Sequence, residues 1–194
     1  VIVYVKHIQS AEYIFISSFG WFFCTFIICP EEAAEAVDPP IHYAYFGIDI
    51  FVFQAFTGLA YADVRKLTFD DIQTSFDGEL WLIAKRKKTG TTFYVKLLPI
   101  AKQLIEQYRL VSKSQFIFPV PSNAENMNRC LRRIAKQCGI TKRISSHMGR
   151  HSFATTVCLS KGVPIETVSQ MLGHSSILTT QIYAKITNDK ISKD

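Results

Sequence analysis

The chain of 194 residues has room for one domain or one and a half. With 48% apolar and 20% charged residues it can bury a core, which excludes wholesale disorder. The net charge of +6 is unevenly spread: Val1–Phe46 carries one lysine against five acids, and the remaining 148 residues carry 21 Lys and Arg against 11 Asp and Glu. A basic block of that size suits a polyanion binder, and equally a soluble protein that is merely basic.

Taken in chain order, Tyr13–Cys29 comes first. It is apolar apart from Ser and Thr, with one glycine, and is near the lower length limit for a bilayer span. Only Lys6 precedes it as a base, and "CPEEAAEA" is a poor cleavage site, so it does not read as a signal peptide. A core helix, a membrane anchor and no natural element at all stay open for it. The chain opens on Val, which reads as a fragment or as a chain whose first 40-odd residues come from outside the original coding frame. Pro30–Pro40 is an acidic, proline-bounded linker. From Gly47 the pattern becomes regular, which sets the expected division: 1–46 atypical, 47–194 one domain.

In that domain, Ile48–Gly58 has the apolar density of a buried helix, and "AYADVRKL" a short second one. Strands are expected at Asp71–Ser75, Leu80–Ala84 and Thr92–Leu97, joined by glycine-containing turns. Pro99 suits the first position of a helix over Ile100–Val111. Asn123 would cap a helix over Glu125–Cys138 that Gly139 ends. Ser145 or Ser146 would cap a helix to about Ser160. Pro164 opens "IETVSQML", and Ser175 or Ser176 would cap "ILTTQIYAKI". The fold class is α+β, mainly helical, with a small three-stranded antiparallel sheet. The five cysteines (Cys24, Cys29, Cys130, Cys138, Cys158) form no CxxC and no zinc-type Cys/His pair, so they read as buried apolar residues in a reducing cytosol and no metal is expected.

The chemistry is concentrated in "SSHMGRHSFATTV". His147, Arg150 and His151 lie at i, i+3 and i+4, one strip of helix with no acid beside them. Desolvated cations need a counter-anion, and a guanidinium matches two oxygens of a phosphate. Downstream, His174 sits in a glycine-marked break and Tyr183 follows nine residues later. A phenol attacking phosphorus forms a phosphotyrosyl ester that stores the energy of the broken phosphodiester, so rejoining needs no metal or nucleotide.

"HMGRHSFAT…GVPIETVSQMLGHSSILTTQIYAKI" resembles the C-terminal signature of the tyrosine recombinases, the phage integrase family, and most closely integrases of bacterial conjugative and mobilisable elements. The resemblance runs from about Ile48 to the end. It implies a tyrosine-recombinase catalytic domain that performs site-specific DNA recombination or integration through a 3′-phosphotyrosyl intermediate. It implies that Tyr183 attacks the scissile phosphate, that Arg150 clamps the non-bridging oxygens, and that His147 and His174 bond the phosphate and help move protons. It also implies a hairpin lysine that protonates the leaving 5′-oxygen. Lys88 fits best, with Lys85 and Lys87 as a basic turn touching DNA backbone. His151 reads as a packing residue that orients the strip. Arg129, Arg132, Arg133, Lys136, Lys142 and Arg143 form the expected DNA-backbone surface, and Asn126 and Asn128 could reach bases. Double-stranded DNA is the expected partner, with a homotetramer on paired sites, an accessory DNA-bending protein, no cofactor and no membrane. The expected location is the bacterial cytoplasm at the nucleoid.

Two features depart from the family. Its second active-site arginine lies in a "TGLR" segment, and here "TGLAYADV" puts Ala60 in that place. Arg65 is five residues on, about 140° round a helix, so it should point elsewhere; the resemblance leaves open that related integrases tolerate other residues at this place or that another cation reaches in. Val1–Phe46 resembles neither the clamp domain nor the arm-site domain that usually precede the catalytic one, which predicts weak, salt-sensitive DNA binding by this chain alone. The alternatives carried forward are a catalytically weak or inactive DNA-binding remnant, a type IB topoisomerase-like enzyme, and a membrane-anchored regulator resting on Tyr13–Cys29.

Overall fold

The computed structural model describes residues 3–6, 13–17, 22–24, 41–112, 114–120, 123–137 and 139–184. Helix α1, Ile41–Thr57, is the axis around which the other helices pack. From Gly47 onward it is apolar on nearly every side, and a helix of that kind must be enclosed. Helices packed against three of its sides do this: α3 (Pro99–Val111), α4 (Ala124–Gln137) and α5 (Ser146–Ser152). Ile50, Val52 and Phe53 are fully buried in the resulting core with Leu104, Ile117, Phe118 and Phe153. α1 begins at Ile41, earlier than the expected start at Ile48, because the residues directly after Pro40 already continue its apolar run.

A short helix α2 (Tyr61–Val64) and a 3₁₀ turn (Phe69–Asp71) lead into a sheet of β4 (Ile72–Thr74), β5 (Leu80–Lys85) and β6 (Thr92–Lys96). It is antiparallel in the order β4-β5-β6, with Leu82 opposite Ile72 and Val95. Alternation puts Leu82, Phe93 and Val95 on the core face. After α5 come a π-helical segment (Phe153–Cys158), a 3₁₀ turn (Leu159–Lys161), α6 (Ile165–Met171), which packs on β6, and α7 (Leu178–Ala184), which packs on α6.

The helix expected as one α element to Ser160 therefore changes character at Phe153. Thr155, Thr156 and Val157 are all β-branched, and the Thr155 and Ser160 hydroxyls bond back to the carbonyls of His151 (3.0 Å) and Thr156 (2.6 Å). Both effects loosen an α ladder. The caps also differ. Asn123 Oδ1 accepts the Glu125 N–H at 2.8 Å as expected, and Ser176 Oγ accepts the Leu178 N–H at 3.3 Å. Ser145 makes no side-chain cap at α5. The Ser146 hydroxyl is turned inward to Gln54 Oε1 at 2.8 Å, and its N–H donates to Asn128 Oδ1 at 2.8 Å.

The Tyr13–Cys29 stretch is not a helix where it is described. Tyr13–Ser17 (β2) and Phe22–Cys24 (β3) form an antiparallel sheet with Val3–Lys6 (β1). Aromatic and β-branched residues dominate these strands, and they favour extended backbone. Among the described residues no helix is long and apolar enough to cross a membrane. Cys138, expected as the last helical residue of α4, lies outside the described residues.

Candidate active site

The site is built on a tight crossing of α1 and α5. Gly149 faces α1 so closely that a Cβ would lie 2.9 Å from the Phe51 carbonyl oxygen. Gln54, fully buried on α1, donates to the Leu59 carbonyl at 2.9 Å and accepts the Ser146 hydroxyl. One amide side chain thus couples the loop after α1 to the first turn of α5. That loop turns at Gly58, whose φ is +72°, and its carbonyl faces Arg150.

Arg150 is only 2% exposed. Its Nη1 donates to Gly58 O at 2.6 Å, and its Nη2 donates to Leu172 O at 2.7 Å and lies 2.9 Å from His174 Nε2. A guanidinium has five N–H groups; three are used here, and the nearby Tyr183 phenol favours the charged form of the same group. Burial, then the Arg86 charge, pulls the Arg150 pKa down to about 10, against the support of Tyr183 and Asp63. The side chain therefore stays charged at neutral pH. The acid-free look of the strip is local to the sequence, since the fold brings up Asp63 from α2.

His174 is 9% exposed. A guanidinium N–H only donates, so His174 Nε2 must be the acceptor, and its Nδ1–H donates to Thr180 Oγ1 at 2.7 Å. That tautomer is neutral. Burial, then the charges of Arg150 and Arg86, holds the imidazole at about 4 against its ordinary 6.5. Thr180 is fully buried on α7 and orients the ring, a role its sequence position did not reveal.

Tyr183 is 6% exposed and lies between two imidazoles. His174 is parallel to it at 6.3 Å between centroids, and His151 meets it edge-on at 5.0 Å and 84°. His151 is thus a packing partner of the phenol, as expected. His147 is exposed at the rim; partial burial, followed by the charges of Arg150, His151 and Arg86, lowers its pKa. The structure brings His147, Arg150, His174 and Tyr183 together from α5, the α6–α7 loop and α7.

Lys88 is exposed on the β5–β6 turn. The turn is anchored beside the site by the Lys87 N–H, which donates to Asp63 Oδ1 at 2.8 Å, and by the Thr89 hydroxyl, which donates to Gly173 O at 3.3 Å. Lys85 and Lys87 are exposed neighbours. Arg129, Lys142 and Arg143 are exposed, whereas Arg133 is half-buried and Arg132 is half-buried and ion-paired to Glu125. Arg132, Lys136, Lys142 and Arg143 line a shallow hollow of about 510 Å³ with no acid in its wall. Asn128 does not project freely toward bases, because its side chain is committed to the start of α5.

The depressed His174 pKa predicts a pH dependence of stability. Between about pH 6.5 and pH 4 the unfolded imidazole takes up a proton that the folded one refuses, so stability falls as pH drops through that window and levels below it. The full contribution is on the order of 3 kcal/mol. Urea midpoints across this range should slope less steeply in His174→Asn than in the wild type.

Residues 38–190 match the Phage integrase family, and the chain belongs to that family. It is 34% identical over 143 residues to the tyrosine recombinase XerD of Listeria innocua serovar 6a, covering 68% of this chain and 47% of that protein. It is 27% identical over 144 residues to the tyrosine recombinase XerC of Listeria monocytogenes serotype 4a, covering 70% and 48%. The chain spans about half the length of the curated relatives it matches. Among solved structures, the XerH site-specific recombinase bound to palindromic difH substrate superposes with a TM-score of 0.61 at 21% identity, over 76% of this chain and 44% of that one. A lambda integrase dimer bound to a COC′ core site gives 0.58 at 17%, over 74% and 44%. At these identities the likeness establishes the fold, that of the tyrosine-recombinase catalytic domain.

Proposed function

We propose that this chain breaks and rejoins double-stranded DNA at specific sites by transesterification to Tyr183. The observation that carries the proposal is the buried Tyr183 ring lying parallel, at 6.3 Å, to a neutral His174 whose Nε2 is 2.9 Å from the Arg150 guanidinium, all within one chain. The phenolic oxygen attacks the scissile phosphorus while its proton passes to His174 or His147. The bond from phosphorus to the 5′-oxygen breaks, and Lys88 delivers a proton to that oxygen, which leaves as a 5′-hydroxyl. The product is a 3′-phosphotyrosyl ester, which a 5′-hydroxyl attacks in the reverse sense to rejoin strands without nucleotide. Arg150 carries the charge that builds on the non-bridging oxygens, from a position already paid for by two backbone carbonyls.

The proposal extends to the rest of the molecule. Lys87, Arg129, Arg132, Arg133, Lys142 and Arg143 contact the DNA backbone, with the acid-free hollow by Lys142 and Arg143 receiving phosphate and Arg132 sharing its charge with Glu125. Residues 47–194 act as the catalytic domain and 1–46 as a separate segment. Recombination uses a tetramer on two duplexes and an accessory DNA-bending protein, in the bacterial cytoplasm at the nucleoid.

A nicked duplex that loses its short 5′ fragment on cleavage traps the covalent step. The 194-residue chain, at low salt, should give a protein–DNA adduct that survives denaturing electrophoresis. Tyr183→Phe should give none. An adduct that persists in the phenylalanine variant would overturn the proposal.

A further inference from the structure

The position held by the family's second arginine is empty of charge: Ala60 is the residue at the entry to α2, with φ −74° and ψ 152°. The Arg65 charge acts on the Tyr61 phenol and is not among the charges that shift His147, Arg150 and His174. A different side chain has entered the site. Arg86 closes the β5–β6 hairpin, its N–H donating to Thr91 O at 2.9 Å and its carbonyl accepting the Gly90 N–H at 2.8 Å. From there the side chain passes under Gly173, so closely that a Cβ at Gly173 would meet Arg86 Cδ at 3.4 Å. Its Nη1 donates to Gly173 O at 3.3 Å.

Arg150 is bonded to the adjacent carbonyl, Leu172 O, and to the adjacent side chain, His174. The two guanidiniums therefore hang from consecutive carbonyls of one loop. The Arg86 side chain is 14% exposed, and its Nε is buried with no hydrogen-bond partner among the described residues. The nearest carboxylate oxygen, Asp63 Oδ2, stands 3.9 Å away, beyond hydrogen-bond distance. Asp63 is one acid for two cations, and the Arg86 charge lowers the pKa values of Arg150, His174 and His147 together. Like charges gathered at this density, with an unused donor, leave the site short of an anion.

We infer that Arg86 is a catalytic residue that shares the scissile phosphate with Arg150 and supplies from the hairpin the second guanidinium that Ala60 lacks. The inference rests on the strand-transfer function proposed above. It separates Arg86 from the surface bases around it: Lys85 and Lys87 steer backbone, while Arg86 stabilises charge on the reacting phosphate.

The test uses the full chain and a nicked duplex recovered from a random-sequence pool by its adduct with the wild type. That duplex is made in two forms, with an ordinary scissile phosphate and with a methylphosphonate, in which a methyl group replaces one non-bridging oxygen and removes the charge. Arg86→Ala should form adduct about 10²–10³-fold more slowly than wild type on the ordinary duplex. On the methylphosphonate the deficit should shrink by about tenfold or more, because the charge it neutralised is gone. Arg86→Lys should fall between, keeping the charge without the two-pronged grip, and Arg65→Ala should match wild type. Arg86→Gln, which fills the same space, serves if the alanine variant does not fold. Rates equal to wild type, or a deficit the same on both duplexes, would overturn the inference and leave the strand-transfer function standing. A wild type that gives no adduct from any pool, or an adduct retained in Tyr183→Phe, would remove both.

Discussion

Arg150→Ala should lower the rate of adduct formation by about 10²–10³-fold and should also melt at a lower temperature. The two losses have separate origins. The catalytic one follows from the role proposed for Arg150, a donor aimed at charge that develops on the phosphate. The structural one comes from what the guanidinium holds in the free chain: it joins Gly58 O on the loop after α1 to Leu172 O before α7 and supplies the donor to His174 Nε2. Truncation leaves two buried carbonyls without these donors, and each orphaned acceptor costs roughly 1–3 kcal/mol. Relief of like-charge repulsion with Arg86 offsets part of that cost. Arg150→Lys separates the terms. An ammonium keeps the positive charge but cannot bridge both carbonyls and His174 with fixed planar geometry. Its folding loss should be smaller than alanine's, while its adduct rate stays well below wild type. Thermal melts and single-turnover adduct rates on the same preparations check both. Equal rates for lysine and arginine would show that only net charge matters here.

Gly58→Ala should be the most damaging single methyl in the domain. The residue has φ +72°, a conformation that costs an L-residue roughly 1–2 kcal/mol. Space is also lacking: the new Cβ would collide with the Phe153 ring and stand 2.9 Å from Leu172 Cδ2. Phe153 is 1% exposed and cannot swing away, so overpacking adds roughly 1–3 kcal/mol. The sum is about 3 kcal/mol, or about 6–12 °C in melting temperature for a domain of this size. The carbonyl of the same residue is an Arg150 acceptor. Any shift that relieves the clash therefore moves the guanidinium, and adduct formation should fall together with stability. Gly78, with φ +72° but nothing within 4 Å of its Cβ position, is the control in which only the backbone cost appears.

What could be read before the fold was known follows the reach of local rules. The helices over Pro99–Val111 and Ala124–Gln137 and the three strands fall within a residue or two of expectation, because proline, glycine and the Asn123 cap act on their own neighbours. For Tyr13–Cys29 a core helix, a membrane anchor and no natural element stayed open, because length and apolarity alone do not separate a helix from paired strands. The π segment after Ser152 was invisible because β-branched residues lower α propensity without naming what replaces it.

The site divides in the same way. That His147, Arg150, His174 and Tyr183 come together was legible, because the helical strip holding His147 and Arg150 carries no acid and His174 and Tyr183 follow it within about forty residues. Arg86 was not, since in "AKRKKTG" it is one base among four, and nothing in the run says which of them turns inward. Gln54, Thr180 and Asp63 were equally silent, each being an ordinary polar residue until the packing of α1, α7 and α2 buries it beside a partner far along the chain. Sequence by itself determined which chemical groups the molecule owns and which lie on a common helical strip, because those depend on residue type and a fixed helical repeat. Tertiary structure alone decided which cations are desolvated, which tautomer His174 adopts and which arginine faces Gly173. Those properties arise from distances between segments up to 92 residues apart, and such distances are set by core packing.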